Sequence, residues 1–439
     1  MSKAETVKKV FVEISRAILG ITFTLSGFAK ATDPVGSAYK IQDYLSAFGL
    51  DSLYFTALPA AISLCVLEFS IGIFMLTGIY RRLNAWTVLL FMSVMTPLTL
   101  YLAIANPVTD CGCFGDALII TNWQTFFKNI VLLAAALTVF IYYRQIQNFY
   151  TRKFYWLVAV FTVAFGILYS LANCFFEPAF DFRPYKTGAN LPKLITVDEK
   201  NADVYENIFI YEKNGVKQEF TEDNYPWEDT AWVFIDRVSR LVKEGEKPII
   251  TDFKLNRLYF NSEKTAIESE EDITEEVIND ESYVFLMLSC SLSDMRESAI
   301  SKMGDVKNYA SDQGYRFYCL TASTSDEIIG WEKANSANFD FCLTSDRTLK
   351  TMMRTNPGLM LLKKGAIINK WSPSEIPAEE ELTKPLEELP IGQMPNHAAQ
   401  NRTTLIWLLS IFIVPLLVIK TLDFLIYRER HLRKKDTSK

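Results

Sequence analysis

Histidine is nearly absent from this chain. Of 439 residues only two are histidine, His397 and His431, and both lie near the C-terminus. An HExxH zinc site, a bis-histidine haem and a Ser-His-Asp triad each need histidines that these positions do not supply. No metal ion is therefore expected. The formal net charge of −6 gives no reason to expect nucleic acid as a partner.

Apolar and charged residues are both abundant. Hydrophobic residues make up 49% of the chain, yet it also carries 51 acidic and 45 basic residues. A single soluble core rarely needs both, so the composition predicts a membrane region and a separate charged region. A membrane helix needs about 20 apolar residues to cross about 30 Å of hydrocarbon. Stretches of this kind are Phe11–Ala29, Tyr54–Gly78, Asn84–Ala105, Thr125–Tyr143, Phe154–Asn173 and Thr404–Tyr427.

The basic residues predict the orientation of these helices. If six helices alternate in direction, all the basic connecting segments fall on one side, and that side is expected to be cytoplasmic. We therefore expect a multi-pass protein of the bacterial inner membrane, with cytoplasmic termini and residues 174–402 in the periplasm. The residues concerned are Lys3, Lys8, Lys9, Arg81, Arg82, Arg144, Arg152, Lys153, Arg428, Arg430, Arg433, Lys434 and Lys435.

The first apolar stretch has a second interpretation. Ala29-Lys30-Ala31 resembles a signal-peptide cleavage site after a basic start and an apolar core. Glu13 and Arg16 inside the stretch favour a retained membrane helix instead. The rest of the topology is the same in either case.

The fold class predicted is an α-helical polytopic membrane bundle with an α/β domain outside the cytoplasm. Before residue 281 that domain is hard to interpret. Asn214-Gly215 is typical of a type I′ hairpin, and Thr230–Val238 and Pro248–Leu255 are possible strands. The predicted boundaries are a four-helix domain at 1–153, a fifth membrane helix at 154–175, an α+β region at 176–281, an α/β domain at 282–373, a linker at 374–403, a sixth membrane helix at 404–427 and a basic tail at 428–439.

Within 282–373 strands and helices alternate, and Ser293 is the predicted cap of the first helix. Asn356-Pro357-Gly358 comes directly before the penultimate strand. This order resembles the thioredoxin fold, in which the corresponding proline is usually cis. The predicted elements are strand Tyr283–Leu288, helix Ser293–Ser311, strand Tyr315–Thr321, helix Ser325–Ala334, strand Phe339–Leu343, helix Asp346–Arg354 and the hairpin Gly358–Leu362 with Ala366–Trp371.

The sharpest motif is the run Asp110–Asp116, which reads Asp-Cys-Gly-Cys-Phe-Gly-Asp, in the predicted loop after the third membrane helix. Cys111 and Cys113 lie one residue apart beside glycines that permit a tight turn. Such a pair suits a redox-active dithiol in a compartment that permits disulfides. A static disulfide that fixes a turn is the main alternative, and a metal site is a third.

Other candidates surround this motif in the predicted topology. Cys174 is a possible resolving thiol at the same membrane face. Glu68 lies near the middle of a membrane helix, where it either moves protons or contacts a quinone, or makes a structural hydrogen bond. Lys30 either lowers the pKa of a nearby thiol or anchors the end of its helix at the membrane–water interface. Arg16 is a possible cofactor contact, or a side chain that extends to the interface.

The remaining cysteines differ in expected role. Cys290 occupies the turn after the first strand of the α/β domain, where a working thioredoxin carries Cys-x-x-Cys; here only Cys-x-x-Ser is present. A nearby helix N-terminus would lower its pKa, but a domain that kept the fold and lost the chemistry fits as well. Cys65, Cys319 and Cys342 are expected in the interior.

The membrane residues resemble the DoxX/MauE-like family of small four-helix membrane proteins. This resemblance implies a membrane redox or maturation role: thiol–disulfide or quinone-linked chemistry that serves periplasmic thiol proteins, with a quinone as the candidate cofactor. A non-catalytic scaffold that presents a degenerate thioredoxin-like domain is the alternative, and a solute carrier a weaker one. The oligomeric state is not predicted. The matching residues are Arg16, Ser26–Lys30, Asp33-Pro34, Glu68, Gly72, Gly78 and Cys111–Gly115.

Overall fold

A computed structural model describes residues 3–108, 111–197, 203–227, 229–243, 245–295 and 297–436. Asp110 of the cysteine motif and the last three residues of the predicted basic tail lie outside these ranges. The helices are α1 (Lys3–Thr32), α2 (Pro34–Ala47), α3 (Ala57–Thr77), α4 (Arg81–Ala105), α5 (Asn122–Tyr142), α6 (Tyr155–Phe175), α7 (Leu191–Ile195), α8 (Thr274–Ile278), α9 (Glu297–Asp312), α10 (Ser325–Asn335), α11 (Asp346–Met352) and α12 (His397–Asp436). The strands are β1 (Val204–Lys213), β2 (Val216–Phe220), β3 (Val233–Lys243), β4 (Asn256–Phe260), β5 (Ile267–Asp272), β6 (Tyr283–Ser289), β7 (Arg316–Thr321), β8 (Phe341–Leu343), β9 (Gly358–Lys363) and β10 (Ala366–Trp371).

Six helices in the described part of the chain are long and apolar enough to cross a membrane: α1, α3, α4, α5, α6 and α12. The number of spans predicted from the sequence is therefore confirmed. Glycines allow the helices α1 and α3 to pack closely against each other. A Cβ atom on Gly27 would lie 2.3 Å from the backbone nitrogen of Phe69, and one on Gly72 would lie 2.3 Å from the hydroxyl of Thr24. Small residues at such crossings let two backbones pack closely inside a bilayer.

The bundle has two distinguishable ends. At one end Arg81 donates to the carbonyl of Ile146 at 2.9 Å, and Asp423 accepts from the backbone N–H of Thr151 at 2.8 Å. The basic turns around residues 81 and 144–153 thus share this end. The α/β domain contacts the opposite end, which we call the domain end.

A helix that the sequence interpretation missed lies at the domain end. It is α2, within the loop after α1. Asp33 caps it, because its carboxylate accepts from the backbone N–H of Gly36 at 2.8 Å, and Pro34 occupies the first turn. An aspartate followed by proline is a known start signal for helices, so the sequence did contain the information.

The α/β domain is built on a sheet of seven strands within the described residues, in the order β10-β9-β6-β7-β8-β4-β5. β6 runs parallel to β7 and antiparallel to β9, and all its residues are buried. A central strand covered on both faces reads as an uninterrupted apolar run, which explains why Tyr283–Leu288 was easy to recognise. The predicted order of elements from Tyr283 to Trp371 is confirmed, and the peptide bond between Asn356 and Pro357 is cis.

Two local predictions in this domain are wrong. Ser293 does not cap a helix, since α9 begins at Glu297; Leu292 and Met295 turn inward and are buried instead. The stretch 248–255 is not a strand, although it contains three buried apolar residues. These residues pack as an irregular segment against the sheet rather than alternating between two faces: Ile250, Phe253 and Leu255.

The boundaries of the α/β domain also need correction. β4 and β5 precede residue 281, yet β4 pairs with β8 and extends the same sheet. The strand β8 is only three residues long, and its pairing with β4 means that it does not form the edge of the sheet. The first part of the predicted linker 374–403 is not free either, because Ile376, Leu382 and Leu386 are buried in the domain core. The sixth membrane helix, predicted at 404–427, extends beyond both limits as α12.

A second sheet has the strand order β2-β1-β3. Its first turn confirms the predicted hairpin, because Asn214 (φ 55°) and Gly215 (φ 79°) both adopt the positive φ that a type I′ turn requires.

Candidate functional site

Cys111 and Cys113 lie at the domain end, in the loop between α4 and α5. Their sulfur atoms are 3.1 Å apart, and both thiols are free. Gly112, at φ +63°, gives the backbone a turn that other residues rarely adopt, and this turn lets both side chains face the same way. The sulfurs are only about 1 Å farther apart than in a disulfide bond. The pair is a dithiol that can close with a small movement.

The two thiols differ in acidity. A hydrogen bond from the Cys111 thiol lowers the pKa of Cys113 to about 6, against the opposing effect of burial, and the charges of Lys128 and Lys30 act in the same direction. The same hydrogen bond and burial raise the pKa of Cys111. The hydrogen bond therefore favours the thiolate at Cys113 and the protonated thiol at Cys111.

A buried polar network lies on the membrane side of the dithiol. Glu68 is 3% exposed; its carboxylate accepts from the Lys30 ammonium at 2.6 Å and from the Ser26 hydroxyl at 2.7 Å. The oxygen of Ser26 also lies 2.6 Å from the carbonyl oxygen of Cys113. Because a hydroxyl carries one proton, Ser26 shares it between these two acceptors. Glu68 therefore has the partners that a carboxylate within a membrane helix needs.

The α/β domain is attached to this end of the bundle by Arg354. Its guanidinium donates to both carboxylate oxygens of Asp33, at 2.7 to 3.0 Å, and to Asp116 at 2.9 Å. Asp116 belongs to the loop that carries the dithiol, so one side chain of the domain contacts that loop directly. Burial would raise the pKa of Asp33, but the charge of Arg354 holds it below its usual range. Burial dominates at Asp116 and raises its pKa.

A second group of ion pairs joins the domain to the segment that follows α6. Lys370 of β10 lies 2.9 Å from Asp181, and Arg183 lies 2.7 Å from the same residue. Both cations are also paired with Glu177, at 3.4 and 3.1 Å. Burial would raise the pKa of Asp181, but the two cations hold it well below its usual range. Two separate clusters of charge therefore fix the domain on the bundle.

Cys290 lies near the first of these contacts. Lys350 and Arg354 stand 5.1 and 5.5 Å from the ring of Tyr39 on α2. Burial, followed by the charge of Cys290, raises the pKa of Tyr39 to about 12, which places the thiol close to the same interface. Burial and then Asp346 raise the pKa of Cys290 itself to about 11. The suggested activation by a helix N-terminus is wrong, because α9 begins seven residues later.

The other candidates are dispersed. Cys174 is half-buried at the domain end, where its neighbour Asn173 donates to the carbonyl of Ala31. Arg16 lies 14 positions before Lys30 on α1, about 21 Å away along the axis. It donates to the final carbonyls of α3, those of Met75 and Leu76. A cation at a helix C-terminus is a structural cap, and Arg16 is not part of the site. The remaining cysteines are buried as expected: Cys65, Cys319 and Cys342.

Models of known families match two parts of the chain. The family model described as methylamine utilisation protein MauE matches residues 8–142. The membrane region before α6 is MauE-like. The match ends at the last residue of α5, so the MauE-like region includes the dithiol loop and the Lys30–Glu68 pair. Residues 205–244 match a domain of unknown function (DUF8463), which covers the sheet of β1, β2 and β3. None of the curated proteins compared with the chain matches it.

Several residues of the site were not recognised in the sequence as candidates. Arg354 was assigned only to a helix end, and Asp33 and Asp116 only to motifs. Their partners are more than 230 positions apart along the chain, so no local pattern relates them. Ser26 could have been found, because it lies four residues before Lys30, on the same face of α1.

We expect Arg354→Ala to lower the free energy of unfolding by about 3 kcal/mol, because two partly buried carboxylates lose their cation. Arg347→Ala, an exposed arginine on α11, is the matched control and should change little. Thermal unfolding of the detergent-solubilised protein measures both. Equal stability of the two variants would show that the contact does not hold the domain.

Proposed function

We propose that this chain is a thiol–disulfide redox protein of the bacterial inner membrane, in which Cys111 and Cys113 exchange disulfides with periplasmic proteins. The supporting observation is the asymmetric dithiol: two sulfurs 3.1 Å apart, with the pKa of Cys113 lowered to about 6. A thiol in a purely structural disulfide has no need of a stabilised thiolate, whereas exchange depends on one.

The exchange proceeds in two steps. A thiolate of the partner protein attacks the sulfur of Cys113, which is the more exposed residue of the two. The bond between Cys111 and Cys113 breaks, Cys111 takes up a proton, and a mixed disulfide joins Cys113 to the partner. The second thiolate of the partner then attacks the partner's sulfur atom in the mixed disulfide. An intramolecular disulfide forms in the partner, and Cys113 leaves as a thiolate. Two electrons pass to the chain, and a low leaving-group pKa favours the second step.

Return to the disulfide form requires an oxidant that accepts two electrons and two protons. A membrane quinone is the class of compound that fits, and it would supply this oxidation from the bilayer. The groups of the chain nearest to the dithiol on the membrane side are Ser26, Lys30 and Glu68. Lys30 also stabilises the Cys113 thiolate by its charge.

The periplasmic domain fits the role of a recognition module. Its central strands β9-β6-β7 and their directions support the thioredoxin-like topology inferred from the sequence. Cys290 lies in the turn where such a domain carries its reactive thiol, but one or two residues earlier along the chain, and burial raises its pKa to about 11. In this proposal the domain binds a partner and directs it to the dithiol beneath, and the chemistry belongs to the MauE-like region.

The raised pKa of Cys290 also favours a second candidate function. A domain without an activated thiol, fixed by two clusters of ion pairs, suits a non-catalytic scaffold for envelope proteins. The scaffold needs the domain, and the redox protein needs the two cysteines. Variants at Cys111 and Cys113 therefore separate the two functions.

The pH dependence of alkylation tests the proposed dithiol. In the reduced protein, Cys113 should react with iodoacetamide with a midpoint near pH 6, because its thiolate accepts the Cys111 hydrogen bond. Cys111→Ala removes this donor and should move the midpoint upward, towards the ordinary thiol value of about 8.5. Labelled peptides identified by mass report the rate at Cys113 alone, and Cys174→Ala is the control. A wild-type midpoint at or above pH 8.5 would contradict the proposal.

A further inference from the structure

The strand β3 forms an unpaired edge. It has 11 residues, and every one is exposed. Its inner edge pairs with β1, and no other strand among the described residues pairs with its outer edge. Soluble domains usually keep such edges short or interrupt them with charge or proline, because a long free edge recruits other strands.

This edge is apolar along most of its length. Val233, Phe234, Ile235, Val238, Leu241 and Val242 are each between 43% and 61% exposed. The sheet beneath offers little core, since Ile208 is its only buried hydrophobic residue within the described part of 204–243. A three-stranded sheet with so small a core is marginally stable by itself. Additional strands would cover these residues and stabilise it.

The charges of β3 select one partner. In an antiparallel pair of two β3 strands centred on Val238, Asp236 lies opposite Arg240 of the second strand, and the symmetry repeats this pair. The same register places Phe234 opposite Val242 and Ile235 opposite Leu241. Centring the pair two residues earlier, on Asp236, brings two aspartates together, and centring it on Arg237 or Arg240 brings two arginines together. Opposite charges directly across a strand pair are favourable, and like charges are unfavourable.

The geometry of β3 agrees with this register. Pairing between β3 and β1 is irregular near Ile235 and near Val242, and regular for the residues between. The centre at Val238 and both Asp236–Arg240 pairs lie within the regular part. Bulges twist a strand, so the regular part is the length on which a second strand can be added.

We propose that the chain forms a two-fold symmetric dimer, in which β3 pairs antiparallel with β3 of a second copy and Val238 lies on the axis. The two three-stranded sheets then form one sheet of six strands in the periplasm. The residues that match the domain of unknown function, 205–244, are in this view a dimerisation module. This inference is independent of the redox proposal.

Cross-linking by an introduced cysteine tests the register. In the proposed dimer the two copies of residue 238 face each other at about 5 Å between Cα atoms, within disulfide range, whereas the copies of residue 239 are about 8 Å apart. Oxidation of membranes containing Val238→Cys should convert most of the chain into a covalent dimer on a non-reducing gel. Ser239→Cys should give no more dimer than wild type. Equal cross-linking at both positions, or capture of a different protein by Val238→Cys, would overturn the proposal.

Exchange of charges provides a second test that needs no new cysteine. Asp236→Arg should shift the purified protein from dimer towards monomer in light scattering, because an arginine at position 236 then lies opposite Arg240 in both halves of the interface. Arg240→Asp should also weaken the dimer, and it loses an exposed ion pair with Glu219 as well. Combining Asp236→Arg with Arg240→Asp restores opposite charges and should restore the dimer. A double variant as monomeric as the singles, or a wild-type protein that is monomeric, would refute the pairing.

Discussion

Replacing either Cys111 or Cys113 by serine is expected to abolish function as completely as replacing both. In the proposed exchange the two thiols close one bond, so neither can cycle alone, and residues that act as one unit are non-additive in this way. Oxidation of a small dithiol by the purified protein, with a soluble quinone as acceptor, gives the rate for each variant. Cys174→Ser, a half-buried thiol at the same end, is the control and should retain most of the activity.

The same variants should identify the partner. Cys111→Ser leaves Cys113 without its resolving thiol, so a mixed disulfide with a periplasmic protein should accumulate in cells. Cys113→Ser should accumulate less, since burial still raises the pKa of Cys111 when the hydrogen bond to Cys113 is gone. A scaffold gives the opposite result: the cysteine variants keep function, and removing residues 190–389 destroys it. Full function in the Cys111→Ser, Cys113→Ser double variant would refute the redox proposal.

Glu68→Gln is expected to lower the free energy of unfolding by about 3 to 5 kcal/mol, because Lys30 then remains buried without its carboxylate. Lys30→Met should cost a similar amount for the reciprocal reason. The double variant removes both charges and should be more stable than either single, and a double-mutant cycle on thermal unfolding in detergent measures the coupling. Glu68→Gln with wild-type stability would show that the pair does not hold α1 against α3.

Activity in the same variants separates structure from chemistry at Glu68. If the carboxylate only neutralises Lys30, the stable double variant should still oxidise dithiols, at a lower rate because the Cys113 thiolate has lost a nearby cation. If Glu68 also moves protons or contacts a quinone, the double variant should be stable and inactive. Ser26→Ala tests whether the hydrogen bonds of Ser26 couple Glu68 to the dithiol, since it removes the hydroxyl between Glu68 and the dithiol loop.

The membrane part of the fold could be predicted from composition, because about 20 apolar residues in sequence have few alternatives to a spanning helix. The strands from Tyr283 onwards were equally recognisable, since strands that are buried on both faces are continuously apolar. The start of α9, in contrast, could not be recognised from the sequence. Ser293 looked like a cap, but Leu292 and Met295 on either side of it turn inward and are buried.

The site was predictable only in part. Cys111, Cys113, Lys30 and Glu68 were candidates because their residue types are unusual at those depths or spacings. Arg354 was not, because one surface arginine looks like any other until the fold brings it to Asp33 and Asp116. The acidity of Cys113 likewise depends on a thiol two residues away and on Lys128 from another helix. Such effects follow from tertiary contacts and leave no local pattern.

The redox state of the dithiol in living cells tests the central claim most directly. Intact cells are treated with a membrane-impermeant maleimide mass tag, before and after brief reduction, and the tags on Cys111 and Cys113 are counted by peptide mass. The account predicts few tags before reduction and two after it, with a shift towards the tagged form when quinone oxidation is blocked. Two free thiols under all conditions, a disulfide that never responds to the quinone block, or no labelling from outside even after reduction would each contradict it.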